Sequence, residues 1–326
     1  MNPLDDSELM ELLAEVSRSF VLTIRALPRA LRRPVGLAYL LARASDTIAD
    51  TATAPIEARV ECLRAFVGNE DGASLREIRP AKEAESYLLA NIGRVTAAAE
   101  ELPDGDREEI AALLKKITHG QELDLLRFPD STQVRALETA AELEEYTYLV
   151  AGCVGEFWTR ICSAHLPHYG RIAPAEMERL GRAFGQGLQL VNILRDVPED
   201  IANGRCYLPM AELRAAGIED PRQLRAGLSR AAPVFEAWRM KALEHHEEAR
   251  RYIEAVRPLR IRFACLLPWA LGVRTLSLIG QRSPLEKGER IKVDRGEVRR
   301  MMRRAIWAAL SNGSVERWSL ALAQSS

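Results

Sequence analysis

A row of polar side chains on an otherwise apolar helix constrains this chain more than any other feature. Residues 189–209 read QLVNILRDVPEDIANGRCYLP. Helix positions three and four apart share a face, so Gln189, Asn192, Asp196 and Asp200 form one stripe. Leu190, Val191, Ile193 and Leu194 lie between them and require burial, while Arg195 and Glu199 flank the carboxylates. A carboxylate on such a helix needs a partner or a metal, so the stripe should face a cavity. Far upstream, Arg43-Ala-Ser-Asp46-Thr-Ile-Ala-Asp50 repeats the pattern, with Asp46 and Asp50 four apart and Arg43 three residues before. A single Asp-x-x-x-Asp pair ordinarily marks a solvated helix face. Two pairs, both in apolar helices and both beside arginine, point to a shared task. Like charges gathered in a pocket repel unless a cation lies between them. Hard oxygen ligands suit Mg²⁺, which completes its shell with water and substrate phosphates.

The rest of the chain carries helical periodicity, and strand-like alternation is absent. Helices are expected over residues 8–27 and 34–50, with a break near Pro28, and over 56–67 and 83–102. Residues 104–106 should cap a helix over 107–128, and a further helix is expected over 137–162. Pro174 opens the helix of the acidic stripe, and Pro198 within it should kink it or free a carbonyl. A long helix over 221–256, interrupted at Pro233, precedes helices over 260–279 and 295–310. Residues 68–80 and 280–292 read as loops. No linker divides the 326 residues, which are 47% hydrophobic and 28% charged, ample for a large core. The expected architecture is therefore all-α: one domain, residues 1–326, with helices around a central cavity.

Other function classes find little support. A net charge of −1 removes any global bias toward nucleic acid. Five scattered cysteines without a Cys-x-x-Cys pair read as buried thiols in a reducing compartment. The five histidines make no zinc pattern. The N-terminus lacks a secretory signal, and the apolar stretch 263–280, interrupted by Pro268 and Arg274, reads as a buried helix. The localisation expected is cytoplasmic. Within residues 145–160, Gly152 and Gly155 leave a small-residue face, which either packs tightly on another helix or leaves room for an apolar ligand. Tyr146 and Tyr148 lie just before it. Residues 282–304 hold a basic cluster, which reads as a solvated face, a cofactor-phosphate site or an anionic membrane contact.

Several stretches together resemble squalene and phytoene synthases. They are Ser17-Arg18-Ser19-Phe20 followed by Ala-Leu-Pro, Tyr39-Leu-Leu-Ala-Arg43 running into Asp46 and Asp50, Tyr146 before Val150-Ala-Gly, Gln189-Leu-Val-Asn192-Ile-Leu-Arg195-Asp196, and Arg205-Cys-Tyr-Leu-Pro209. They occur in family order. The resemblance implies the isoprenoid synthase fold and head-to-head joining of two prenyl diphosphates held by Mg²⁺. It implies that Asp46, Asp50, Asp196, Glu199 and Asp200 serve the metal. Arg18, Arg43 and Arg195 would hold phosphate, with Ser17, Ser19, Phe20, Gln189, Asn192 and Arg205 at the substrate. Tyr146 and Arg195 would act in the chemistry. Residues 262–296, including Lys287-Gly and Lys292-Val-Asp-Arg295-Gly, resemble the squalene synthase branch, which implies NADPH bound through Lys292 and Arg295. Asp294 stands where that branch tends to carry arginine, and Ala49 replaces an acid common in the first motif.

The leading expectation is thus a Mg²⁺-dependent squalene synthase using farnesyl diphosphate and NADPH. A sister reading stops at presqualene diphosphate or makes phytoene or dehydrosqualene without reductant. A non-catalytic prenyl-binding protein has no need of inward carboxylates, and a nucleic-acid binder lacks a recognition motif. A peripheral membrane contact and a monomer or weak homodimer complete the expectation.

Overall fold

A computed structural model describes residues 2–68, 78–286 and 290–324. Among them are fourteen α-helices and a single pair of two-residue strands. In order these are α1 (Asp6–Val16), α2 (Arg18–Ala26), α3 (Arg29–Asp50), α4 (Ile56–Gly68), α5 (Glu83–Glu100) and α6 (Asp104–Arg127). Then come β1 (Arg135–Ala136), α7 (Ala140–Thr147), a π-helical turn (Tyr148–Gly152), α8 (Cys153–His165), α9 (Pro174–Ala202) and β2 (Arg205–Cys206). The chain closes with α10 (Met210–Ala215), α11 (Leu228–Ala255), α12 (Leu259–Gln281), α13 (Arg295–Ala308) and α14 (Asn312–Gln324).

The helices gather into two compact units. The first takes Met1–Leu126 and Phe157–Pro167; the second takes Arg127–Glu156 and His168–Ser326. In the first, α3 packs on α1, α4 and α5. Its apolar side buries Leu37, Leu40, Ala44 and Ile48 completely. In the second, α9 packs on α7, the π turn, α11 and α12. Leu190, Val191, Ile193, Leu194 and Val197 enter a core shared with Phe235, Trp238 and Leu276. By length and hydropathy α12 could cross a membrane. It lies among α9, α11, α13 and α14, with Trp269 buried and its indole donating to His246 O at 2.9 Å. This agrees with a core helix. The five cysteines are buried, and burial pushes the Cys206 thiol up to about 12.

The boundaries differ from expectation where proline and short polar residues compete with periodicity. The first expected helix is split at Ser17, whose backbone is extended at φ −156°. Pro34, expected to open its helix, lies inside α3, and Pro233, expected to interrupt its helix, lies inside α11. Each deprives only a carbonyl of the first turn, at Ala30 and Ser229, both exposed residues where water can serve. The helix expected at 107 begins at Asp104, whose acids suit the positive end of the helix dipole. β1 and β2 pair in parallel, Arg135 with Arg205 and Ala136 with Cys206, a contact between segments far apart in sequence. α14 was not expected, yet Val315, Trp318 and Leu322 at helical spacing are its buried residues. The loop expected at 68–80 falls largely on residues 69–77, outside the described residues.

The small-residue face of residues 151–155 is filled by α9. A Cβ on Gly155 would lie 1.9 Å from Gly181 O, and one on Gly185 would lie 2.1 Å from Ala151 O. Backbone meets backbone there, so the face provides tight packing and no room for a ligand. Gly155→Ala should therefore destabilise by about 3 kcal/mol or more, an overpacking penalty with no flexible neighbour to yield. Gly105→Ala, with nothing within 4 Å, should be neutral or stabilise by up to about 1 kcal/mol. Urea unfolding of both variants checks the contrast.

Candidate active site

Each acidic pair stays accessible while its helix neighbours are buried. On α3, Arg43, Asp46 and Asp50 are accessible, whereas Ala44, Ser45, Thr47, Ile48 and Ala49 are buried. Arg43 Nη2 donates to Glu85 Oε1 at 2.7 Å, and its Nη1 lies 3.9 Å from Asp46 Oδ2. Gln121 of α6, itself buried, donates to Asp46 Oδ1 at 2.7 Å. Desolvation first, and the Asp50 charge second, raise the Asp46 carboxyl to about 6; Arg43 and Gln121 oppose them. Its side chain keeps 48% of its surface, so the desolvation comes from dense surrounding protein and not from closure. Ala49 belongs to an apolar cluster with Ile48, Val60 and Leu63, and its carbonyl accepts Arg59 Nη1 at 2.8 Å. An acid at that position would enter this core.

On α9, Gln189, Asn192, Asp196 and Asp200 are likewise accessible between buried apolar residues. Asn192 Nδ2 donates to Gln189 Oε1 at 3.4 Å. Arg195 forks onto its neighbour: Nε lies 2.8 Å from Asp196 Oδ1 and Nη2 lies 2.5 Å from Oδ2. Arg290 joins them, with Nε 3.0 Å from Asp196 Oδ1 and Nη1 3.3 Å from Glu199 Oε2. Burial pushes the Asp196 carboxyl up. The hydrogen bonds and charges of Arg195 and Arg290 outweigh it and hold the carboxyl below its usual range. A cavity of about 430 Å³ opens here, lined by Arg195, Asp196, Glu199, Arg222, Arg225 and Arg290 among others.

Tyr146, at the end of α7, stacks on Tyr207 with ring centroids 4.6 Å apart, and its hydroxyl donates to Tyr207 Oη at 3.3 Å. Tyr207 is buried and meets Phe128 edge-on at 5.4 Å. Tyr148 packs differently. Its hydroxyl donates to the buried Glu156 at 3.2 Å, Glu156 accepts Arg182 Nε at 2.6 Å, and the Arg182 guanidinium lies over the Tyr148 ring. Tyr146 lies in the last turn of α7 and Tyr148 opens the π turn, a feature common at functional sites.

The other expected residues divide. Ser17 is the C-cap of α1. The side chains of Arg18, Ser19 and Phe20 lie outside the described residues, as do Lys287 and Gly288. Arg205 sits in β2, half-buried. Lys292 and Arg295 are exposed before and at the start of α13. Asp294 is that helix's N-cap, accepting from Gly296 N at 2.8 Å and Glu297 N at 3.2 Å. Reading the sequence alone missed Arg290, Gln121 and Tyr207. Tyr207 carries a signal in the stretch Arg205–Pro209 of the resemblance and Arg290 lies in the basic cluster 282–304, while Gln121 carries none.

Among the described residues no three metal-ligating side chains form a closed set. An open set of one or two carboxylates is what Mg²⁺ uses with water and phosphate. Asp196 and Glu199 already converge on a positive charge, that of Arg290, so the donor set fits a hard divalent cation.

The chain matches the family model for squalene/phytoene synthase over residues 13–297. It is 28% identical over 292 residues to squalene synthase ERG9 of Gibberella zeae, covering 88% of this chain and 61% of that protein. It is 27% identical over 290 residues to squalene synthase 1 of Arabidopsis thaliana, covering 87% and 67%. The chain spans about 61% of the length of the first of these relatives. Among solved structures it superposes on TcSQS in complex with the ligand E5700 at a TM-score of 0.80, with 24% identity over 98% of this chain and 91% of that one. It superposes on squalene synthase HpnC from Alicyclobacillus acidocaldarius at 0.60, with 21% identity over 85% and 93%. These likenesses establish the fold as that of the isoprenoid synthases.

The two acidic groups should titrate in opposite directions. Carboxyl-resolved NMR of the metal-free protein should place Asp46 near 6 and Asp196 below 3.8. Native Asp46 holds its proton more tightly than the unfolded chain does, so its contribution to stability is present below about 3.8 and lost as pH rises to about 6. Asp196 contributes stability above about 3.8 that is lost as pH falls through its lowered value. Gln121→Leu should raise Asp46 further.

Proposed function

The chain belongs to the squalene/phytoene synthase family, a family of prenyltransferases, and from that premise we propose that it condenses two farnesyl diphosphates head to head to presqualene diphosphate and reduces this to squalene with NADPH. The observation that carries the reading is the pair of arginine-flanked acidic motifs, each open while its apolar neighbours are buried. That the named relatives are squalene synthases favours this branch over phytoene or dehydrosqualene formation.

In this reading Asp196, Glu199 and Asp200 on α9, and Asp46 and Asp50 on α3, hold Mg²⁺. A cation held there would supply positive charge to the diphosphate leaving group. Arg43 and Arg195 take phosphate oxygens in charge-assisted, bidentate geometry, and Arg18 joins them by resemblance. The Arg195 fork lies on Asp196 in the structure and holds that carboxylate ionised, so a phosphate would compete with Asp196 for those donors. Gln189 and Asn192 offer amide donors on the same stripe. The Tyr146 ring can face a developing cation, and its hydroxyl, paired with Tyr207, can take or return a proton. Lys292 and Arg295 fit a cofactor phosphate. Asp294 already satisfies the helix N-terminus, so that contact falls to these two side chains. NADPH when bound supplies the hydride that quenches the second cation.

The protein also works, in this reading, at an anionic membrane surface through α13. Met302, Ile306, Trp307 and Leu310 are 45%, 54%, 70% and 59% exposed. They share an outward face with Arg299 and Arg303, opposite the buried Met301, Ala305 and Ala308. Guanidinium groups interleaved with exposed apolar groups match anionic headgroups above acyl chains.

Incubation with farnesyl diphosphate and Mg²⁺ should give presqualene diphosphate without NADPH and squalene with it. Accumulation of presqualene diphosphate or a desaturated hydrocarbon at saturating NADPH would transfer the assignment to the sister activity. Asp196→Asn should lower turnover about a hundredfold or more with helix content unchanged, and Tyr146→Phe should slow at least one step. Lys292→Ala should raise the NADPH requirement roughly ten- to a hundredfold and spare presqualene diphosphate formation. Co-sedimentation with phosphatidylglycerol vesicles should be lost in Trp307→Ala/Ile306→Ala and weakened by salt. Equal sedimentation of the double variant would exclude this face.

A further inference from the structure

We propose that Arg290 is a resident counter-cation that a divalent metal must displace from Asp196 and Glu199 before the site can load. The inference rests on the reading of Asp196 as a metal ligand. Both oxygens of Asp196 are engaged. Oδ1 accepts from Arg195 Nε and Arg290 Nε and lies 2.5 Å from Arg290 Nη2; Oδ2 accepts from Arg195 Nη2. The same Arg290 guanidinium reaches Glu199. Asp196 and Glu199 are three apart, so one planar group spans adjacent turns of α9 at the charge that a bridging cation would neutralise.

The two arginines differ in kind. Arg195 is the residue next to Asp196 and travels with it. Arg290 comes from 94 residues later, in the connection between α12 and α13. Its place is fixed by neighbours: Leu285 and Ile291, each 5% exposed, are anchored in the second unit's core. The Arg290 side chain itself is 42% exposed against 18% for Asp196. It can therefore swing into solvent without breaking the core, while the carboxylate cannot follow. A guanidinium and a divalent ion cannot share the same lone pairs, and their like charges repel at that distance. Metal binding thus carries the cost of expelling Arg290, which raises the cation concentration at which the site fills. The sequence signal is lacking because nothing local to residues 282–292 shows which carboxylates they meet.

The test is a titration of the full chain with Mn²⁺ alone, free Mn²⁺ being read by electron paramagnetic resonance. Arg290→Gln removes the charge and should bind Mn²⁺ roughly tenfold more tightly than wild type. Arg290→Lys keeps it and should bind near wild type. Adding Asp196→Asn to Arg290→Gln should abolish the gain, which assigns it to this carboxylate. Equal or weaker binding by Arg290→Gln, or a gain that survives Asp196→Asn, overturns the inference and leaves the metal reading intact. Failure of both wild type and Arg290→Gln to bind Mn²⁺ removes the metal reading itself and the inference with it. Circular dichroism of each variant should match wild type, as expected for an exposed side chain.

Discussion

The second unit depends on one backbone-to-backbone contact, the approach of α9 to the π turn and the start of α8. Where Gly155 meets Gly181 and Gly185 meets Ala151, there is no space for a side chain. Such a contact fixes the rotation of α9 about its axis more tightly than interdigitating side chains, which can change rotamer. Because α9 is continuous through Pro198 to Ala202, the rotation set near its N-terminal half also sets the direction of the stripe Gln189, Asn192, Asp196 and Asp200. Tyr146, immediately before the π turn, is placed by the same contact from the other side. Packing chemistry and site chemistry are therefore linked along single elements.

The two acidic motifs share a spacing and differ in their counter-charges. Asp46 receives a neutral amide from Gln121 and a distant Arg43 that is already committed to Glu85. It remains proton-hungry. Asp196 receives two guanidinium groups and remains ionised. Asp46 is thus under-compensated in charge, whereas Asp196 is compensated from within the protein. In energetic terms, a cation entering the first relieves repulsion between Asp46 and Asp50, whereas a cation entering the second replaces an existing partner. The same spacing of carboxylates is thus set in two different charge environments.

Much of this was legible in the sequence, for identifiable reasons. Spacing alone separates the buried from the accessible residues of α3 and α9, since a helix face is a local property. The role of Gly152 and Gly155 stays open in the sequence because a small-residue face does not name what covers it. Prolines 34 and 233 mislead because their cost depends on whether the deprived carbonyl meets water, which periodicity does not reveal. Asn312 and Gly313 mask the start of α14, although Val315, Trp318 and Leu322 keep the helical period. Arg290, Gln121 and the β1–β2 pair are long-range contacts without a local signature.

The proposed function requires that the acidic motifs hold divalent metal together with diphosphate. Anomalous diffraction from crystals grown with Mn²⁺ and a non-hydrolysable farnesyl diphosphate analogue tests it most directly. Anomalous peaks are expected at coordination distance from carboxylate oxygens of Asp196 or Asp200 and of Asp46 or Asp50, with Arg290 withdrawn from Asp196. Peaks elsewhere, or an analogue bound with Arg290 still seated on Asp196 and no metal at either motif, would contradict it.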